Sequence, residues 1–379
     1  MGNASEDSVT VRAPGRVNLI GEHTDYNQGY VLPVAINLEI HIELSPTDDR
    51  IVDVRTEPSG ERGQFHLGAI GLRCGQWIDY VAGVASVLQQ AGMPTSGFIG
   101  RLTSDLPISS GLSSSAALEL ASAWALLVAA DPGVADSIDR MALARLCQRA
   151  ENRYVGVNSG LMDQFASSCG VAGYALLLDC RSLDYRKVLM PSGMRLAVVD
   201  TGTARRLVSS EYNARRAECE RGVALLNARG EHVASLRDAT VRMLDAARGE
   251  LGDVTYRRCR HVVEENERTL AAAAALEAGD AGALGELFAA SHASLRELYE
   301  VSSDELDAAV EIARSTPGVI AARMTGAGFG GCTVNLVEDG AVDSLRSAIE
   351  TRYKPRTGLT AHLYEVATVD GAGLLDQAA

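Results

Sequence analysis

The stretch from Leu106 to Ala130, LPISSGLSSSAALELASAWALLVAA, constrains this chain more than any other. From Ala116 to Ala130 the only polar side chains are Glu119 and Ser122, so a helix there must be buried on nearly every side. A buried helix still needs partners for its first four backbone N–H groups. Five serines and one glycine precede it, behind Pro107. A short loop of small residues at a helix N-terminus presents those donors together with the positive end of the helix dipole, which suits a phosphate. A turn that only caps a core helix is the alternative, and capping explains one serine but not five. The stretch is not GxxxxGK[ST], because no lysine follows the glycine. The chain has two lysines, Lys187 and Lys354, and neither follows a glycine-rich turn. Phosphates would therefore rest on backbone amides, hydroxyls, arginine or a metal.

At 379 residues the chain exceeds the usual single-domain size, so two domains are expected. A net charge of −14 argues against nucleic acid and anionic membranes as partners. It does not exclude an anionic nucleotide, since a metal and a local dipole outweigh a diffuse negative field. Seven scattered cysteines without CxxC fit reduced thiols in a cytosolic protein, not a disulfide framework or a zinc site. The N-terminal residues lack a basic region followed by an apolar core, and no apolar run reaches the roughly eighteen residues of a membrane span. A cytoplasmic location is expected, with no obligate protein partner.

Strands are expected at residues 9–12 and 31–44, with a polar loop between them, and at 51–55, 64–67 and 97–103. Helical spacing covers 77–90, and residues 137–154 are amphipathic. Apolar strands at 174–179 and 196–200 flank MPSG, which divides the chain into domains 1–190 and 191–379. Beyond it, 211–227 and 257–298 read as charged helices, 320–324, 332–337 and 360–366 as strands, and 342–352 as a helix. Strands and helices alternate without a regular parallel repeat, so the fold class is α+β. Gly326, Gly328 and Gly331 satisfy GxGxxG, but the residues after them read as a strand. A dinucleotide fingerprint requires a helix there, so that reading fails.

Arg16, Glu22, His23 and Asp25 fall within ten residues of one another, a density of donors and acceptors suited to a polyhydroxylated ligand or to a solvated loop. Asp163, between apolar neighbours, needs a partner if it is buried. Glu151 lies one residue past the apolar face of its helix, at a cavity edge or at the surface. Taken singly, each of these has a structural explanation.

Together they carry a resemblance. RAPGRVNLIGEHTDYNQGYVLP (12–33) closely resembles the galactokinase signature. Residues 106–119 resemble the phosphate loop of the GHMP small-molecule kinases, and MTGAGFGGC (324–332) resembles their third motif. ENRYVG, GLMDQF and SSEYNARRAEC are similar to further galactokinase segments. The resemblance implies an ATP-dependent kinase for the anomeric hydroxyl of α-D-galactose. Its fold would join an N-terminal domain like ribosomal protein S5 domain 2 to a ferredoxin-like C-terminal domain, with the active site in the cleft. Glu22, His23, Thr24, Asp25 and Tyr212 would bind the sugar, and Asp163 and Arg16 would be catalytic. Ser109, Ser110, Gly111, Leu112, Ser113, Ser114 and Ser115 would wrap the ATP phosphates, and Ser115 and Glu151 would hold Mg²⁺. The chain departs from the family pattern at Ser109 and Ser110, at Gln28 and at Ala327, which bear on nucleotide affinity and sugar choice. Two rivals share these motifs: a kinase for arabinose or N-acetylgalactosamine, and a galactose sensor without phosphoryl transfer.

Overall fold

The computed structural model describes residues 8–107, 111–203 and 208–375. In chain order its elements are β1 (Val9–Asn18), β2 (Tyr30–Val31), β3 (Pro33–Thr47), β4 (Ile51–Thr56), β5 (Arg62–His66), α1 (Ile78–Gln90), β6 (Gly97–Ser104) and α2 (Ser114–Ala130). Then come α3 (Arg140–Ala150), α4 (Met162–Cys169), β7 (Tyr174–Asp179), β8 (Tyr185–Leu189) and β9 (Met194–Asp200). A helical block follows: α5 (Val208–Ala228), α6 (Val241–Ala246), α7 (Arg248–Ala278), α8 (Ala281–Ser294) and α9 (Asp304–Arg314). The chain closes with β10 (Val319–Thr325), β11 (Cys332–Glu338), α10 (Val342–Thr357), β12 (His362–Val366) and β13 (Gly373–Leu374).

A six-stranded sheet runs β13-β1-β3-β6-β4-β5, antiparallel except for the β4–β6 pair. A second sheet of four antiparallel strands runs β10-β11-β9-β12, the strand order of a β-α-β-β-α-β ferredoxin-like unit with α5–α9 in its first crossover. A third, small sheet runs β2-β7-β8. The fold is thus α+β, with a ferredoxin-like C-terminal half. The last strand returns to pair with β1 through Val11 and Arg12.

Helix α2 lies under the first sheet, against β1 and β3, and touches α1, α3 and α4. Leu120, Leu126 and Leu127 have no exposed surface and Trp124 has almost none. Each leucine so buried contributes about 1.5–3 kcal/mol relative to exposure. Glu119, in the same helix, is equally buried.

One departure from the sequence reading matters for the site. Strand β1 does not stop at Arg12 but continues to Asn18 across a bulge between Pro14 and Gly15. The Pro-Gly pair that reads as a loop is absorbed by the bulge, which re-aims Arg16. A side chain at Gly15 would strike Leu106 Cδ2 at 2.4 Å and the Leu112 carbonyl at 2.7 Å, so only glycine lets β1 approach the serine-rich turn. Asp163 occupies the first turn of α4.

Candidate active site

Arg16 links two of the polar segments. Its backbone N–H donates to Leu112 O at 3.0 Å, and its Nη1 donates to Gly111 O at 2.7 Å. Nε and Nη2 reach Asp163 Oδ1 at 2.8 and 2.7 Å. The guanidinium is nearly buried while the aspartate is 28% exposed, so the pair opens on one side only. It opens into a cavity of about 300 Å³, lined among others by Glu22, His23, Asp25, Ser115, Glu151 and Tyr212. The position of Asp163 in the first turn of α4 adds the positive end of a helix dipole.

Asp25 begins a short 3-10 turn facing Asp163. Burial and the Asp163 charge push its carboxyl up to about 6, with Arg16 opposing. Gly160 is the floor beneath it, since a Cβ there would sit 1.8 Å from Asp25 Oδ2. Glu22 turns the other way. It pairs with Arg323 of β10 and accepts from the Gly326 N–H at 3.1 Å, which ties the loop after β1 to the β10–β11 hairpin. Burial raises the Glu22 carboxyl above its ordinary value, and Arg323 counteracts this. The three glycines of the GxGxxG pattern lie in that hairpin loop, between two antiparallel strands.

His23 adopts φ 63°, and both its ring nitrogens are engaged. Nε2 lies 3.2 Å from Ala327 O, and Nδ1 lies 2.8 Å from the Tyr26 hydroxyl. A carbonyl only accepts, so Nε2 carries the proton and Nδ1 accepts from Tyr26. Burial, reinforced by His261, holds its pKa down to about 3, so the ring is neutral. The Tyr26 hydroxyl is 2.7 Å from that of Tyr299. Tyr212, from α5, packs against both rings, tilted to His23 at 5.7 Å and edge-on to Tyr26 at 5.2 Å. Thr24, expected with the sugar-binding group, is fully buried away from the cavity lining. Its hydroxyl sits 2.8 and 2.6 Å from the carbonyls of Gly21 and Tyr30. Its side chain supports the loop, because two carbonyls already claim its one proton.

On the other side, Ser109 and Ser110 lie outside the described residues. Gly111 has φ 89°, Leu112 is buried in the core, and Ser113 precedes α2 with φ 61°. The Ser113 hydroxyl is buried without a partner among the described residues. Ser114 and Ser115 form the first turn of α2, and of the two Ser115 lines the cavity. Its hydroxyl bonds Glu151, which sits in a π-helical turn (Glu151–Val155) that continues α3. Glu151 is buried and accepts from Ser159 Oγ and, at 2.9 Å, from Gln164 Nε2. Burial and Asp163 raise its pKa. Among the described residues no group of three or more His, Cys, Asp or Glu is placed to hold a metal ion. One hydroxyl and one carboxylate are nonetheless a donor set that fits Mg²⁺, which keeps waters and takes substrate phosphates as further ligands.

Several residues escaped the sequence reading. Arg323, fully buried in β10, also donates to Leu19 O at 2.9 Å. Burial alone would push Glu265 of α7 up, but Arg268, His261 and Arg323 outweigh it and hold the carboxyl down to about 2. Tyr299 and Gln164 complete the set. An arginine inside an otherwise apolar strand was the one available signal; nothing local marks the others.

Comparisons with known proteins identify the family. The chain matches the galactokinase galactose-binding signature over residues 2–46, the GHMP kinases N terminal domain over 79–171 and the GHMP kinases C terminal over 272–355. It is 44% identical over 365 residues to a galactokinase of Roseiflexus sp. (strain RS-1), covering 96% of this chain and 92% of that protein. It is 45% identical over 370 residues to a galactokinase of Chloroflexus aggregans, with the same coverage. The crystal structure of Lactococcus lactis galactokinase complexed with galactose superposes with a TM-score of 0.92 at 37% identity, over 98% of this chain and 96% of that one. Methanococcus jannaschii mevalonate kinase, at 17% identity and a TM-score of 0.66 over 97% of this chain and all of its own, shares the fold. With the galactose-binding signature matched and relatives at 44–45% identity covering nearly the whole chain, the chain belongs to the galactokinase family of GHMP kinases.

Proposed function

We propose that this chain transfers the γ-phosphoryl group of ATP to the anomeric hydroxyl of α-D-galactose, giving galactose 1-phosphate at the entry of galactose catabolism. The observation that carries this reading is the Arg16 side chain, which spans Asp163 in the cavity and Gly111 O in the serine-rich turn. Sugar acceptor and phosphate donor thereby meet at one guanidinium.

The sugar occupies the cavity, with Asp25 and Tyr212 toward its hydroxyls, Glu22 fixing the cavity wall through Arg323 and Gly326, and His23 shaping the wall with a neutral ring. Asp163 orients the anomeric hydroxyl and takes its proton late. That hydroxyl is a far weaker acid than an aspartic acid of ordinary pKa about 3.9, so removing the proton before attack would be steeply uphill. Phosphoryl transfer relies mainly on positioning and charge stabilisation, which Arg16 and the α2 N-terminus supply. The N–H groups at Ser113, Ser114 and Ser115 would face the phosphates, and we assign Ser109 and Ser110, from their place in the sequence, to the same role. Ser115 and Glu151 would hold Mg²⁺, which would supply neutralisation of the phosphate charge. We place the domain division at 190/191, ahead of β9, and the protein in the cytoplasm. Among the described residues no helix is long and apolar enough to cross a membrane.

The test is ADP release with Mg²⁺-ATP over galactose, N-acetylgalactosamine, arabinose, glucose and mevalonate, with Asp163→Ala alongside. Turnover should be best with galactose and lost in the variant. Silence on every sugar, with galactose still raising the melting temperature, would identify a sensor instead.

A further inference from the structure

Glu119 is the one acidic residue of α2, one turn beyond Ser115 and fully buried. A leucine would suit that apolar surrounding better, because a buried carboxyl is costly unless its partners repay it. Its partner is Gln164, also fully buried, in α4 beside Asp163. Gln164 Nε2 lies 2.9 Å from Glu119 Oε2 and 2.9 Å from Glu151 Oε2, so both amide hydrogens are committed. Ser159 Oγ donates to the same Glu151 oxygen.

The last torsion of a glutamine is broad and nearly two-fold, so its amide can flip. With Glu119 on one side and Glu151 on the other, a flipped Gln164 would turn its carbonyl toward two carboxyl oxygens. The contact with Glu119 thus favours the orientation in which the amide nitrogen, not the carbonyl, meets Glu151. We propose that Glu119 is a positioning residue for the metal-binding carboxylate: through Gln164 it anchors Glu151 Oε2 inward and leaves Oε1 to be presented beside Ser115. This rests on the assignment of Ser115 and Glu151 to Mg²⁺. Partners that orient a ligand from behind typically affect metal affinity by about 10- to 100-fold.

The test uses Mn²⁺ with ADP as the probe, followed by paramagnetic resonance, with galactose binding by calorimetry reporting an intact fold. Glu119→Leu should weaken Mn²⁺ binding by about 10- to 100-fold at unchanged galactose affinity. Glu119→Gln keeps an oxygen for Gln164 and should restore most of the loss. Unchanged Mn²⁺ affinity in the folded leucine variant would overturn the proposal, as would an equal loss in both variants. If the leucine variant fails to bind galactose, Gln164→Met removes the same bridge and is read by the same criteria. Glu151→Gln separates the two levels: full Mn²⁺ affinity there would remove the metal assignment itself.

Discussion

Residues 19–31 and the turn at 111–115 both reach the cavity, yet they are held in different ways. The first segment is locked by partners distant in sequence. Arg323 meets Glu22, Glu265 accepts from the Gly21 N–H at 3.1 Å, and His261 Nε2 meets Glu22 O at 3.2 Å. The second is held by backbone geometry, an arginine on two carbonyls and one buried leucine, with a serine hydroxyl left unpartnered among the described residues. The proposed sugar side is a buried polar network that specifies one shape. The proposed phosphate side is a helix terminus whose donors come with the backbone.

Four experiments probe this contrast, in order of expected effect. Asp163→Asn removes the group shared by both sides and should lower turnover by about 10²–10⁴-fold in an ADP-release assay. A rate near that of the unaltered chain would sink the assignment. On the sugar side alone, Arg323→Met strands Glu22 in the interior. Urea unfolding should register a loss of about 3–5 kcal/mol, as expected when one partner of a buried ion pair is removed.

The third is a pH profile of galactose affinity. Asp25, pushed up to about 6, faces Asp163, Arg16, Tyr26, Tyr212 and Cys180. On the proposed assignment its ionised form accepts sugar hydroxyls, so affinity should fall as pH drops through 6, approaching about tenfold per unit. Asp25→Asn should abolish the inflection, whereas His23, with a pKa of about 3, cannot produce it. For stability the same raised pKa acts in the opposite sense. The folded state retains a proton that the unfolded chain releases from about pH 4 upward, so this group's contribution declines between about 4 and 6 as pH rises.

The smallest effect belongs to the phosphate side. Ser113→Gly relieves a left-handed serine at some entropic cost in the unfolded state, so unfolding free energy should rise or hold within about 1 kcal/mol. A larger loss would show that the hydroxyl carries a bond.

This contrast also separates what was legible in the chain. The buried helix α2, its serine-rich entry, the α+β class and the failure of GxGxxG as a dinucleotide site follow from periodicity and local spacing, and the structure bears them out. The sugar motif was legible as a pattern but not as a set of contacts. Thr24 supports its own loop, and His23 has both nitrogens occupied, one by a tyrosine three residues on and one by a carbonyl three hundred positions away. Arg16 read as a loop residue because Pro14 and Gly15 mimic a turn; pairing with β3 absorbed them as a bulge. Local periodicity reports which face of an element is buried, and the sequence alone determined that much. Which buried charge meets which depends on how elements pack. Only the tertiary structure could therefore bring Arg323 to Glu22 and Gln164 between two glutamates.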